Sequence, residues 1–287
     1  MLSLQAQCVL PLGATLGEGP LWQPELQRLL FVDIKGQRLH AYTPADGAHQ
    51  TWDFPDYVCW VAPRSDGDGL MLGLRRAVAR LWLEAVPRWQ LLDLPLALAP
   101  DVRLNDAKVH PDGSLWFGSM NNRDVQRADG RLFQLRAGQL HEHARDIHIC
   151  NGPAFSPDGR VMFHNDSLRG RTDRFVLPDG APQLWRQCGP DDGSPDGMTV
   201  DSAGQLWVAY WGAGCVLCHG PDGAVRARVD LPVSQPSSVA FGGPDLRTLF
   251  ITSATEGLAT PEPLAGGLFA VRVEVPGLPA ATYHDFA

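Results

Sequence analysis

The stretch "PDGSLWFG", residues 111–118, decides the fold. A proline, an aspartate and a glycine are followed by a short, strongly apolar run. Asp-Gly supplies the positive-φ conformations of a tight hairpin. The run Leu115-Trp116-Phe117 is too short for a helix and reads as a buried strand. The same unit recurs along the chain. It appears as Arg28 with "LLF" (29–31), "DGDGLMLG" (66–73), "PDGRVMFH" (157–164), "SAGQLWVA" (202–209) and "DLRTLFIT" (245–252). The central apolar residues are Leu30, Met71, Trp116, Met162, Trp207 and Phe250, at intervals of 41, 45, 46, 45 and 43 residues.

Each unit repeats one grammar. A short apolar strand ("AKVHP", "PAFSP", "MTVDS", "SVAFG") precedes the turn. The apolar second strand follows it. A third, alternating strand comes next ("GRLFQLRAG" 130–138, "TDRFVLPDG" 172–180, "AGCVLCHG" 213–220), and a more polar fourth closes the unit. Four antiparallel strands per 41–46 residues, six times over, predict an all-β, six-bladed β-propeller. Gln5 to Leu10 and "GGLFAVRVEV" (266–275) are expected to share one blade and close the ring. Residues 1–287 then form a single propeller domain. Thirty glycines and 24 prolines, spread evenly, fit many turns and no long helix.

The repeat also serves as a ruler for the polar residues. Eleven positions before Trp116, Met162 and Trp207 stand Asn105, Asn151 and Asp196; twelve before Leu30 stands Glu18. Blades 2 and 6 carry Trp60 and Val239 there, the latter beside Ser237 and Ser238. Singly, each polar residue reads as a turn former. In one phase, they converge on the channel axis from four blades. Two carboxylates and two amides meeting there are costly unless a cation holds them together. An all-oxygen set suits a hard divalent ion such as Ca²⁺, Mg²⁺ or Mn²⁺.

With these segments on the page, the chain resembles the gluconolactonase and regucalcin (senescence marker protein) family of six-bladed propellers. The resemblance spans nearly the whole length. It is carried by "LGEGPLW" (16–22), "RLNDAKVHPDGSLWFGSM" (103–120), "ICNGPAFSPDG" (149–159), "SPDGMTVDSAGQLWVAYWGAG" (194–214) and "SVAFGGPDLRTLFITSA" (238–254). It implies one divalent metal, with Glu18, Asn151 and Asp196 as ligands. It implies that Arg103 and Asn105 contact substrate hydroxyls, and that the reaction is hydrolysis of a sugar lactone. The chain departs from the family at Ala107, where glycine is usual. Asn121 and Asn122 stand where some relatives place an acid, and are further candidate substrate contacts. "NDS" (165–167) replaces a common "TDS".

These expectations combine into a mechanism. The metal, one of Ca, Zn, Mn, Mg or Fe, polarises the lactone carbonyl or activates water. Asp196 is the general base, weakened by its own metal ligation. Two other readings use the same fold: a non-catalytic calcium-binding regulator, and a paraoxonase-like esterase.

The remaining signals are mostly exclusions. A net charge of −8 and a pI of about 5.5 argue against nucleic acid and anionic membranes as partners. The expected partner is a small-molecule sugar lactone, and the expected state a monomer. No basic, apolar leader and no membrane span is read, and six scattered cysteines read as reduced, so a cytoplasmic protein is expected. "CVLC" (215–218) reads as core packing, and His141, His143 and His148 as a solvated blade edge. No G-x-S-x-G elbow, G-x-G-x-x-G or P-loop appears.

Overall fold

The second strands lose the alternation of an ordinary half-buried sheet because neighbouring blades cover both of their faces. Leu115–Asn121 is buried at every position, and Leu70–Leu74 at all but its last. The fourth strands keep polar, exposed sequences, as in Ala48–Asp53 and Arg88–Leu91. A computed structural model describes residues 1–65, 67 and 69–285. Asp66 and Asp68 of the "DGDG" turn lie outside the described residues.

Six antiparallel sheets make a six-bladed β-propeller. Blade 1 runs from Gly17–Gln23 to Ala48–Asp53, and blade 2 from Val58–Pro63 to Arg88–Leu91. Blade 3 runs from Val102–Val109 to Gln139–Ile147, and blade 4 from Cys150–Phe155 to Gln183–Gln187. Blade 5 runs from Ser194–Val200 to Val225–Asp230. Blade 6 contains Pro236–Gly242, Thr248–Ser253, Leu268–Arg272 and, as its outer strand, Gln7–Leu10. Among the described residues there is no helix, and so none long and apolar enough to cross a membrane.

The Asp-Gly turns work as their chemistry requires. In blade 3 the His110 N–H bonds the Ser114 carbonyl at 2.8 Å, and Gly113 takes φ +86°. Asp112 Oδ1 accepts the Ser114 N–H at 2.9 Å and fixes the turn. Tryptophans then join blades: Trp22 stacks on Phe250 across blades 1 and 6, and Trp60 meets Phe117 across blades 2 and 3. A Cβ at Gly73 would sit 2.1 Å from the Trp60 ring, so only glycine fits behind it. Cys215 and Cys218 are both buried, each in a different apolar cluster, as core packing predicts.

The N-terminal strand departs from its expected bounds. Gln5 to Leu10 is not one strand. Gln7–Leu10 closes blade 6, whereas Leu2–Gln5 adds a fifth, parallel strand to the outer edge of blade 5. Ala6, buried between them, donates its N–H to the Asp230 carbonyl at 3.0 Å.

The expected closing strand over 266–275 spans only Leu268–Arg272, and the segment beyond 275 carried no expectation. It crosses one end of the channel. Gly277 bridges Asp201 in blade 5, and Tyr283 bridges Arg64 in blade 2. The His284 N–H reaches the Gly113 carbonyl at 3.0 Å, and Asp285 pairs with Arg64 and Arg80 at 2.8 and 3.2 Å. Leu278 to Ala281 pack over an apolar cavity of about 290 Å³ between Leu21, Val109, Phe155, Val200 and Phe241. Tyr283 is 2% exposed and anchors this strap. Tyr283→Ala is expected to cost about 3–4 kcal/mol, by analogy with buried aromatic truncations. A denaturant midpoint equal to that of the parent would show that the strap contributes nothing to stability.

Candidate functional site

The opposite end of the channel is polar. All six inner strands carry a one-residue register shift near that end, between residues 18/21, 58/60, 104/107, 151/154, 195/198 and 236/239. A bulge re-aims side chains and stops the alternation. Glu18 and Asn151 are the last paired residues before it, while Asn105 and Asp196 fall within it. These four residues therefore lie inside the first strands. Gly19 supports this with φ +52°, and a Cβ at Gly197 would strike Ser238 Oγ at 2.1 Å.

A cavity of about 330 Å³ opens here. Its walls include Glu18, Arg103, Asn105, Asn122, Asn151 and Asp196. Asn121 is not among them. Its Oδ1 accepts the N–H groups of Arg123 and Asp124 at 2.9 and 2.8 Å, and its Nδ2 donates to Asp129 Oδ2 at 2.7 Å. It folds the loop that carries Val125 to the rim.

One hydrogen-bonded row crosses three inner strand positions. Arg103 Nη1 donates to Asn105 Oδ1 at 2.5 Å. Asn105 Nδ2 donates to Asn151 Oδ1 at 2.6 Å and to the Cys150 carbonyl at 3.0 Å. Asn151 Nδ2 donates to Ser167 Oγ at 2.8 Å. Both amide hydrogens of Asn105 are thus used within the protein, and only an acceptor lone pair remains for a ligand. Asn151 Oδ1 likewise keeps one lone pair free of this row.

The "NDS" segment now has a role. Asn165 Nδ2 holds the Asp196 carbonyl at 2.7 Å, and its own Oδ1 is fixed by Thr172 Oγ1 at 2.6 Å. Asp166 caps the His148 N–H at 3.1 Å, just ahead of Asn151. Asp33 does the same in blade 1, accepting Thr15 and Leu16 N–H groups at 2.9 Å. Its signal was an acid at the end of two second strands, "FVD" and "HND". His148, expected with the others on the solvated blade edge, instead lies partly buried between the last strand of blade 3 and the first of blade 4, 3.4 Å from Asp166. His141 and His143 are exposed on the outer strand of blade 3, as expected for a blade edge.

The electrostatics are unbalanced. Burial pushes Glu18 up to about 8, and the nearby Asp106 adds to the rise. Burial, then Glu18 and Asp106, hold Asp196 well above the usual carboxylate range. Asp106 was not singled out in the sequence; it accepts the Gly152 N–H at 3.0 Å and is itself raised by burial. Lys108 offsets it from the channel side, with its own ammonium lowered by desolvation. Asp196 Oδ1 is buried and has no hydrogen-bond partner. Among the described residues, no three His, Cys, Asp or Glu side chains converge as a metal-ligand cluster. The donor set is instead two carboxylates and an amide oxygen. An orphaned carboxylate oxygen beside a second raised acid is a set that a hard cation fits.

Known proteins share this arrangement of sequence and fold. Residues 16–255 match the model of the SMP-30/Gluconolactonase/LRE-like region. A 6-deoxy-6-sulfogluconolactonase of Pseudomonas putida is 38% identical over 94% of this chain and 96% of its own length. A pentonolactonase of Haloferax volcanii is 34% identical, covering 92% and 93%. The crystal structure of a calcium-binding protein, regucalcin, from Agrobacterium tumefaciens superposes with a TM-score of 0.87 at 27% identity, over 98% of each chain. The chain belongs to the SMP-30/gluconolactonase/LRE-like family.

Proposed function

We propose that this protein is a sugar lactonase that opens an aldonolactone to the aldonic acid, with one divalent cation held by Glu18, Asn151 and Asp196. The observation that carries the reading is the buried, partnerless Oδ1 of Asp196, a residue that lines the same cavity as Glu18. Similar proteins named as lactonases for a sulfogluconolactone and a pentonolactone support the substrate class.

The bound cation would supply Lewis acidity to the lactone carbonyl and lower the pKa of water. The residues do the rest. Arg103, aligned by Asn105 and by the Leu104 carbonyl at 2.9 Å, presents its remaining guanidinium hydrogens to ring hydroxyls. Asn105 accepts one hydroxyl hydrogen on its remaining lone pair. Asp196 takes the proton of the attacking water as its oxygen bonds to the carbonyl carbon. The acyl–oxygen bond then breaks, and the ring oxygen leaves as a hydroxyl after receiving that proton. The apolar walls Leu16, Met120 and Ile149 keep bulk water away from this transfer.

The test is acid release from gluconolactone, xylonolactone and arabinolactone, with chelator and with Ca²⁺, Mn²⁺, Mg²⁺ and Zn²⁺ added back. Turnover that stops in chelator and returns with metal is expected. Full turnover in chelator would overturn the metal assignment. Metal binding without turnover on any lactone would favour a non-catalytic calcium-binding role; the Agrobacterium relative is described as a calcium-binding protein.

A further inference from the structure

The two sides of the cavity differ in charge. The acids Glu18 and Asp196 lie toward the axis. Toward the rim, Lys35 enters from the turn after Arg28–Asp33 in blade 1. Its Nζ donates to Asn122 Oδ1 at 2.7 Å. The same oxygen accepts Arg103 Nε at 3.1 Å. Two cationic groups thus converge on one neutral amide oxygen, while the Glu256 carboxylate on the same cavity wall stands 3.4 Å from Lys35 Nζ. A third, Arg75, lies 5.3 Å from the Tyr57 ring centroid, as does Lys35 Nζ. Arg75 Nε is buried and has no hydrogen-bond partner.

A purely structural role for Lys35 would be its pair with Glu256. That pair is loose, at 3.4 Å, and the Glu256 side chain is 39% exposed against 18% for Lys35. Solvent-screened pairs of this kind contribute little. It does not account for an enclosed ammonium aimed at a site wall beside a guanidinium. A single anionic oxygen near Asn122 would be in reach of both donors, and charge-assisted bonds of this kind are the strong ones.

We propose that Lys35, with Arg103 and Asn122, forms a subsite for a negatively charged substituent on the substrate, at the end remote from the lactone carbonyl. The preferred substrate class is then an aldonolactone bearing a terminal phosphate, sulfonate or carboxylate. Arg103 bridges the two halves of the site, so ring and anion are read together. This rests on the lactonase reading, and its test separates the two.

The probe is calorimetric binding of 6-phosphogluconate, its 6-sulfonate analogue, glucarate and gluconate, with Ca²⁺ present. At least one anion-bearing acid is expected to bind about tenfold or more tighter than gluconate, and the advantage should shrink with salt. Lys35→Met should erase the advantage, and Lys35→Arg should keep most of it; the three anions distinguish which group fits. Equal affinity for gluconate and all three, or an advantage that survives Lys35→Met, would overturn the subsite. In parallel, kcat/KM is compared for gluconolactone and for the lactone of whichever anion-bearing acid binds most tightly. If neither is opened while the binding preference holds, the lactonase reading fails and the subsite stands. If both are opened equally well and Lys35→Met leaves their ratio unchanged, the subsite fails and the lactonase reading stands.

Discussion

Asp196→Asn is expected to keep the fold and lower kcat for lactone opening by at least about 10³-fold, within the range that a lost acid–base group and metal ligand together command. The change is nearly isosteric, and the Asp196 backbone stays held by Asn165. It also removes one member of a mutually repelling group, since Glu18 and Asp106 both push Asp196 up. The metal-free variant should therefore melt no lower than the parent. A loss of activity with a raised or equal melting temperature is the signature of a functional residue carried at the expense of stability. A variant that retains more than a tenth of the parent's kcat would remove Asp196 from the proton transfer.

Glu18→Gln should weaken divalent-metal affinity by at least the roughly 100-fold that marks the upper range for outer-shell partners of a metal site. The pH behaviour gives an independent check. Glu18 sits near 4.5 when unfolded and is pushed to about 8 in the metal-free fold. Between those values the folded chain holds more protons than the unfolded one, so stability falls as pH rises. The metal-free protein should be most stable at or below pH 4.5 with respect to this group, and should lose that contribution as pH climbs toward 8. Metal binding displaces the proton, so apparent affinity should rise over the same window. In Glu18→Gln the rise should flatten. An affinity that is insensitive to pH in the parent would contradict the assignment of Glu18 as a ligand.

The parts of this molecule that could be read from sequence are those fixed by repetition. The runs around Trp116, Met162 and Trp207 stand out because both faces of the second strand are covered, so its first residues are apolar on both faces. Counting from them placed Glu18, Asn105, Asn151 and Asp196 around one cavity, since equivalent inner-strand positions face one axis. Glu18 lay one residue out of step, twelve rather than eleven, because Trp22 pairs with Leu29 where Phe155 pairs with Met162, so Leu29 rather than Leu30 is the equivalent marker. What escaped has no counterpart in other blades. Lys35 sits in a turn, where a lysine is ordinary. Tyr283 belongs to a strap that follows the last repeat. Asn121 and Asn122 are adjacent and alike, yet one shapes the loop and the other faces the cavity; only the bonds of Asn121 to Arg123, Asp124 and Asp129 separate them. Asn165 acts on Asp196 from a neighbouring blade, across 31 residues, a distance that no local pattern reports.

The split of the N-terminal strand at Ala6 has a kinetic consequence. Cys8 pairs with Phe269, and Leu4 with Val229, so these two strands find partners separated from them by most of the propeller's sequence. Contacts of such sequence separation raise contact order and slow the final search. Until that pairing forms, the Leu268–Arg272 edge and the rim of blade 5 both present unpaired backbone groups. The last event in folding is then the closing of a circle rather than the growth of a core. The seam between blades 5 and 6 is where an incomplete chain is most open to association with a second copy.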